Sequence, residues 1–332
     1  MPHSLRPNQQ RPIMTATSEQ RTPTLAARGM ASFEDKHRFA LNFAPHLGIV
    51  PGGEGLFARC AGPNVIDQIN FSGDNGFVAI EDNFFSSRPV SVQKQIGRAL
   101  ASNKMQMGCQ LGVRALDRPT FGLDPPQIQD YLKSEIRYAI AAAERVEGRL
   151  LTIIPGRECP NLSRQQQIQN VARNLKELAP MAEAAGVTLV VEAISLKRWQ
   201  DILVADVKEA YAICQAVDNS EVGLLFDVYQ CQCESGDIIS NMEFCWDQIR
   251  CMQIADNPGR MEPGTGEINF FNVFAYLKQR NWSGLVEMEH GLSRPGAQAG
   301  HDLIKSYQAL SDSVSGLSQK DPWDQCKKHQ SG

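Results

Sequence analysis

The chain is short of several things that would place it elsewhere. It has no cationic surplus: 33 Lys and Arg stand against 37 Asp and Glu, a formal net charge of −4. A general nucleic-acid binder needs the opposite balance to neutralise phosphates. Its six histidines include His3, His37 and His329, which lie outside or at the margin of the patterned region, so a histidine-rich metal cluster of the kind a repair endonuclease uses is not there to be built. No apolar stretch approaches the ~20 residues of a membrane-spanning helix, and the apolar core of a secretory signal is missing, so the chain reads as soluble and cytoplasmic. A glycine-rich phosphate turn is also wanting, because Pro51-Gly52-Gly53-Glu54-Gly55 is a poor match to the dinucleotide fingerprint of a doubly wound sheet.

Cysteine is present but unorganised. Cys60, Cys109, Cys159, Cys214, Cys231, Cys233, Cys245, Cys251 and Cys326 form no CxxC pair. Cys231 and Cys233 lack further Cys or His partners at zinc-site spacing, so all nine are expected to be structural, mostly buried thiols.

What remains is ordinary for a globular enzyme: 332 residues, 42% hydrophobic and 21% charged. Residues 1–36 are rich in Pro, Gln, Thr, Ser and Arg without hydrophobic period, and read as a disordered leader. Arg6, Arg11, Arg21 and Arg28 face only Glu19 there, a mild likeness to an organelle transit peptide, and Met30 offers a second start. A polar, loose tail is expected over 316–332.

Between these ends, over 37–315, apolar runs alternate with helical patterns. Strands are predicted at Arg38–Asn42, Phe77–Glu81, Met105–Leu111, Leu150–Ile154, Thr188–Glu192, Val222–Asp227, Arg250–Ile254 and Gly284–Glu289. Amphipathic helices are predicted at Ser91–Ser102, Ile128–Val146, Arg164–Ala185, Val207–Val217, Ile238–Trp246, Phe271–Arg280 and Ala297–Ser311. Eight strands with crossover helices over about 275 residues is the size of one α/β domain folded as a (β/α)₈ TIM barrel.

Four strands of the second half end near a side chain able to bind metal: Glu192 in LVVEA, Asp227 in LLFDVY, Gln253 in CMQIAD and Glu289 in LVEMEH. Their spacings of 35, 26 and 36 residues are each about one βα unit. Strand C-termini converge on one face of a barrel, so the four are placed to share a cation. Three carboxylates and an amide oxygen form a hard donor set suited to Mg²⁺ or Mn²⁺. A carboxylate closing a run such as LLFD is costly to bury without a partner.

These segments carry a resemblance. FDVYQCQ, MQIADNPGRMEPGTGEINF and LVEMEHG resemble the hydroxypyruvate isomerase branch of the xylose isomerase-like barrels, over about Phe39 to Tyr307 and most strongly from Gly186 to Glu289. The resemblance implies that Glu192, Asp227, Gln253 and Glu289 bind a divalent metal and that Glu192 and Glu289 are the catalytic acid–base pair. It implies an aldose–ketose isomerase of carbohydrate metabolism that interconverts hydroxypyruvate and tartronate semialdehyde through an enediolate. A 2-oxo-tetronate isomerase or an epimerase of a ketose such as tagatose would use the same scaffold and ligands. A repair endonuclease shares the fold but not this charge and ligand inventory, and a non-catalytic sugar binder would have no reason to keep all four ligands.

Five further residues are expected around the substrate. Arg260, in the loop after the seventh predicted strand, is placed to grip a carboxylate or carbonyl. Glu267 either binds substrate or orders that loop together with Asn269 as helix cap. Asn42 and Glu81 close the first two predicted strands and are candidates to line the cavity; His46 reads as exposed. Gln230 stands where relatives carry a histidine; it can hydrogen-bond but not titrate. Ser195-Leu196-Lys197-Arg198-Trp199 replaces an acidic-proline loop of the relatives, a change that would either favour an anionic substrate or reshape the cavity. The expected partners are a small hydroxy or keto acid or a sugar, with no nucleic acid or membrane, and a homo-oligomer is compatible with the sequence.

Overall fold

In the computed structural model, the described residues are 38–317. The expected leader and all but two residues of the expected tail lie outside them.

The strands are β1 (Asn42–Pro45), β2 (Ala79–Ile80), β3 (Gln106–Met107), β4 (Gln110–Leu111), β5 (Leu150–Ile153), β6 (Thr188–Glu192), β7 (Val222–Asp227), β8 (Ile249–Gln253) and β9 (Leu285–Met288). One sheet runs β1-β9-β8-β7-β6-β5-β4, and β2 pairs with β3. Every strand pairing is parallel. The ring closes through a parallel bridge between His46 and Glu81 and through the Gly108 N–H, which donates to the Ile80 carbonyl at 2.7 Å. β3 and β4 are two halves of one stave, broken at Gly108-Cys109. The result is the eight-staved parallel barrel expected from the pattern.

Helices clothe the outside, because a parallel sheet buries both faces. They are α1 (Ala58–Ala61), α2 (Val65–Asp74), α3 (Val90–Asn103), α4 (Pro125–Ala143), α5 (Arg164–Ala185), α6 (Val207–Val217), α7 (Val228–Glu234), α8 (Ile238–Cys245), α9 (Phe270–Gln279) and α10 (Ala297–Ser315). α5 has the bounds that its pattern predicted: the Ser163 hydroxyl accepts from Gln166 N–H at the start, and Gly186 at φ 66° stops it. α2 went unpredicted; Asn64 caps it, and Ile69 is its buried contact to the core.

The barrel interior is layered. Ala44, Ala79, Cys109, Leu150, Val190, Leu225, Cys251 and Leu285, one from each stave, form an apolar layer. Side chains alternate along a strand, so residues two positions further toward the C-terminal ends point into the same interior. There the lining turns polar: His46, Glu81, Thr152, Glu192, Asp227, Gln253 and Glu287 are all buried. The apolar layer closes the interior below this polar lining.

The first strand moved furthest from its predicted bounds. The first strand, expected to end at Asn42, starts there. Phe39 and Leu41 are buried in the main core before the strand opens, so their hydrophobicity marks core packing and not strand pairing.

Candidate metal and acid–base site

At the polar end, one oxygen each from Glu192, Asp227 and Glu289 lies within 4.8 Å of the other two. Glu192 and Asp227 are the last residues of β6 and β7, and Glu289 follows β9 directly. Gln253 ends β8, in register with Asp227 on one side and Glu287 on the other. Four consecutive staves therefore deliver the four side chains to one end of the barrel.

Local bonding leaves these groups ready for a cation. Asp227 caps α7: its Oδ1 accepts the N–H of Tyr229 at 2.8 Å and of Gln230 at 3.3 Å. Its Oδ2 is buried without a hydrogen-bond partner. The Gln253 amide nitrogen donates to Glu81 Oε1 at 2.9 Å and points toward Glu287 Oε2 at 3.4 Å. That orients the amide and leaves Gln253 Oε1 buried and unpartnered. An unpartnered amide oxygen, and an Asp227 oxygen that has no hydrogen bond and only a guanidinium 3.7 Å away, stand beside crowded carboxylates; an oxygen-loving divalent ion would satisfy them, so the residues fit the metal that the donor set implies.

The electrostatics agree. Burial, then the charges of Glu289 and Asp227, push the Glu192 carboxyl well above its usual range. Burial raises Asp227 to about 7, with Arg260 opposing and Glu289 adding to the rise. Burial raises Glu287 to about 7 as well, against the Cys109 N–H that stabilises its charge. Glu81 is pushed well up by burial and then by Glu287 and Glu289. Carboxylates forced this close in a low dielectric favour a bound cation.

Arg260 is the cation the chain itself supplies. Its guanidinium bonds Glu289 Oε2, lies 3.7 Å from Asp227 Oδ2 and sits 5.3 Å above the Tyr229 ring. Burial works against its charge, yet Glu289, Asp227 and Glu192 hold its pKa above the ordinary value. The loop that carries it is wound around Asp256, whose buried carboxylate accepts the N–H groups of Asn257, Gly264, Gly266 and Ile268 at 2.8–3.0 Å. A Cβ on Gly266 would stand 2.0 Å from the Asn257 carbonyl oxygen, so glycine is required. Asn257-Pro258 is cis, and Arg260 takes φ 52°, a left-handed conformation that costs a non-glycine residue about 1–3 kcal/mol and clusters at functional sites. The Gly291 N–H donates to the Arg260 carbonyl at 2.9 Å and ties this loop to the segment following Glu289.

The remaining expected residues distribute unevenly. Glu81 is fully buried and joined to Gln253. Gln230 Oε1 accepts the Ser195 N–H at 3.0 Å, while its Nε2 is buried without a partner. Glu267 is exposed and accepts from the side-chain amides of Asn257 and Gln232, the latter at 3.1 Å; Asn269 caps α9. That is the loop-ordering arrangement. Asn42 is a correction: it opens β1 and so sits at the opposite end of the barrel, where its amide donates to the Ser283 carbonyl at 2.8 Å. His46 is a second correction, being buried. Its Nε2 pairs with the His290 carbonyl and its Nδ1 accepts the Gly48 N–H, both at 3.0 Å. Burial lowers its pKa to about 3.

Two buried polar residues escaped the sequence reading. Asn83 donates to Glu81 Oε1 at 2.9 Å and Glu289 Oε1 at 3.2 Å, linking the two halves of the interior. Glu287 accepts the Cys109 N–H at 2.6 Å in the gap between β3 and β4. Its signal was available, since residues 287 and 289 share one face of a strand.

The xylose isomerase-like TIM barrel family matches residues 71–307. The chain belongs to that family. The hydroxypyruvate isomerase of Escherichia coli is 27% identical over 164 residues, 49% of this chain and 62% of that protein, so the match spans less than two thirds of the relative's length. A 2-oxo-tetronate isomerase of Pectobacterium atrosepticum is 24% identical over 225 residues, 68% of this chain and 86% of that protein. Among solved structures, a family 2 AP endonuclease of Brucella melitensis superposes with TM-score 0.68 at 20% identity, over 80% of this chain and 99% of the other. At that identity the likeness speaks for the barrel alone.

Proposed function

We propose that the chain is a metal-dependent sugar-acid isomerase that interconverts hydroxypyruvate and tartronate semialdehyde. The observation that carries this reading is the convergence of Glu192, Asp227 and Glu289 on one point, with the unpartnered Gln253 oxygen at the end of the stave between the last two.

Isomerisation of a 2-hydroxy ketone moves one proton between neighbouring carbons. A divalent cation held by Glu192, Asp227, Gln253 and Glu289, Mg²⁺ or Mn²⁺ on this donor set, would supply electrophilic stabilisation of the two substrate oxygens. The chain's own groups do the rest. One of Glu192 and Glu289 takes a proton from carbon, and the other, protonated, gives its own to the neighbouring carbon of the enediolate; the hydroxyl proton passes between the two substrate oxygens, and proton exchange with solvent resets the pair. Asn83 and Arg260 hold Glu289 from two sides and fix the direction of its carboxylate. The Gln230 Nε2, unpartnered and buried, is a donor for a substrate oxygen. Lys197 and Arg198, exposed after β6, supply positive charge that suits an anionic substrate.

A 2-oxo-tetronate as substrate is a second reading, favoured by the longer match to the isomerase of that name. One panel decides: full-length protein with Mg²⁺ or Mn²⁺ is offered hydroxypyruvate, 2-oxo-tetronates and free ketoses, and kcat/KM is compared. Preference for hydroxypyruvate supports the first reading. Preference for a four-carbon acid replaces it with the second, and turnover of neutral ketoses alone overturns both.

A further inference from the structure

A second set of potential ligands lies in the same interior, beside the oxygen site and nearer the apolar layer. Cys109 Sγ, Cys251 Sγ and a carboxylate oxygen of Glu287 all lie within 4.8 Å of one another. All three residues are completely buried, and both thiols are free. They come from three staves: the break between β3 and β4, the middle of β8, and β9.

Two other buried polar groups border this cluster. Glu81 stands close enough to Glu287 and Cys109 for mutual repulsion, and its Oε2 has no hydrogen-bond partner. Thr152, inward-facing on β5, turns its hydroxyl to the Cys109 thiol. An apolar pair of cysteines would need none of this. Two sulfurs and a carboxylate, all shut away from water, are donors that a borderline-soft cation accepts.

We infer that Cys109, Cys251 and Glu287 bind a zinc-class divalent ion distinct from the one in the oxygen site. Binding exchanges the two thiol protons for one divalent cation, so the net charge of the interior is unchanged. The Gln253 amide separates the two sites: its nitrogen faces Glu81 and Glu287, and its oxygen is left for the Glu192, Asp227 and Glu289 side. Sulfur selects the softer ion at the inner site and oxygen the harder ion at the outer one.

The test uses the full-length chain produced with zinc supplementation and then dialysed against excess Mg²⁺, which fills the oxygen site. The expected result is one retained zinc per chain. X-ray absorption should show two sulfur neighbours at about 2.3 Å, with oxygen completing the shell. The doubly substituted Cys109→Ser, Cys251→Ser chain should lose that zinc and still bind Mn²⁺, read by its electron paramagnetic resonance. Cadmium in place of zinc should give a sulfur-to-metal absorption in wild type that is absent from the variant. Zinc lost on dialysis, a shell of oxygen and nitrogen only, or sulfur ligation that persists in the variant would each overturn the inference. Should the variant not fold, the wild-type absorption spectrum decides alone.

Discussion

The two halves of this barrel are built to different standards. β2, β3 and β4 have two residues each, and closure there depends on the His46–Glu81 bridge and single backbone bonds around Gly108. β6, β7 and β8 run five, six and five residues; one register shift separates Leu224 from Leu225 in the β7–β8 pairing, and the register is unbroken from there to Asp227 and Gln253. The same half carries Glu192, Asp227, Gln253 and Glu289. Long staves hold their C-terminal ends in fixed relation, which is what a set of ligands needs, because a misplacement of about 1 Å can cost two orders of magnitude in rate. The first half supplies support: Glu81 and Asn83 reach across to orient Gln253 and Glu289.

If that division is right, the largest effects belong to the second half. Glu289→Gln and Glu192→Gln keep size and an oxygen donor but remove a group that exchanges protons. Turnover should fall by roughly 10²–10⁴-fold while KM changes much less. Exchange of the substrate C–H with solvent deuterium then separates the pair: loss of the initiating base stops exchange, and loss of the returning acid alone leaves it. Near-normal turnover in both variants would sink the acid–base assignment.

Arg260→Ala comes next. It strips a buried cation from between Glu289 and Asp227, and breaking a buried pair costs about 3–5 kcal/mol. Urea unfolding of metal-free protein should show a loss of that order, which saturating Mg²⁺ partly restores. An Mg²⁺-insensitive loss would mean that Arg260 stabilises its loop and not the carboxylate cluster.

Metal addition to the wild-type chain should act in the opposite direction and somewhat more weakly. A ligand at a hundred times its Kd stabilises the folded state by about 2.7 kcal/mol. The Tm should therefore rise with Mg²⁺ or Mn²⁺ and return with a chelator, and Asp227→Ala should abolish the rise. A Tm indifferent to divalent cations would remove the case for the oxygen site.

The smallest effect is assigned to the far end of the first half. Asn42→Ala removes one hydrogen bond to the Ser283 carbonyl, at a cost of about 0.5–1.5 kcal/mol, and should leave kcat and KM unchanged. A change in KM would return Asn42 to the cavity and contradict its place at the opening of β1.

The halves also differed in legibility. β6, β7, α5 and α6 have the bounds their patterns predicted, because long apolar runs between clear caps leave a single reading. The first half offered shorter signals. Phe39 and Leu41 resemble a strand and are core packing, α2 was passed over, and the third stave hides a break at Gly108 that nothing local announces.

By itself the sequence determined the alternation of strands and helices, hence the barrel, and the strand-end spacing that brings Glu192, Asp227 and Glu289 together. Those depend on period and chain order, which are local properties. Only the tertiary structure decided that Glu287 and Asn83 belong to the same interior, that Asn42 faces the other end, that His46 is buried, and that Cys109 and Cys251 meet. Each of those joins residues far apart in the chain through the closing of the ring. A pattern read along one strand says which face a side chain takes, but the neighbour it finds there depends on the register of every stave between them.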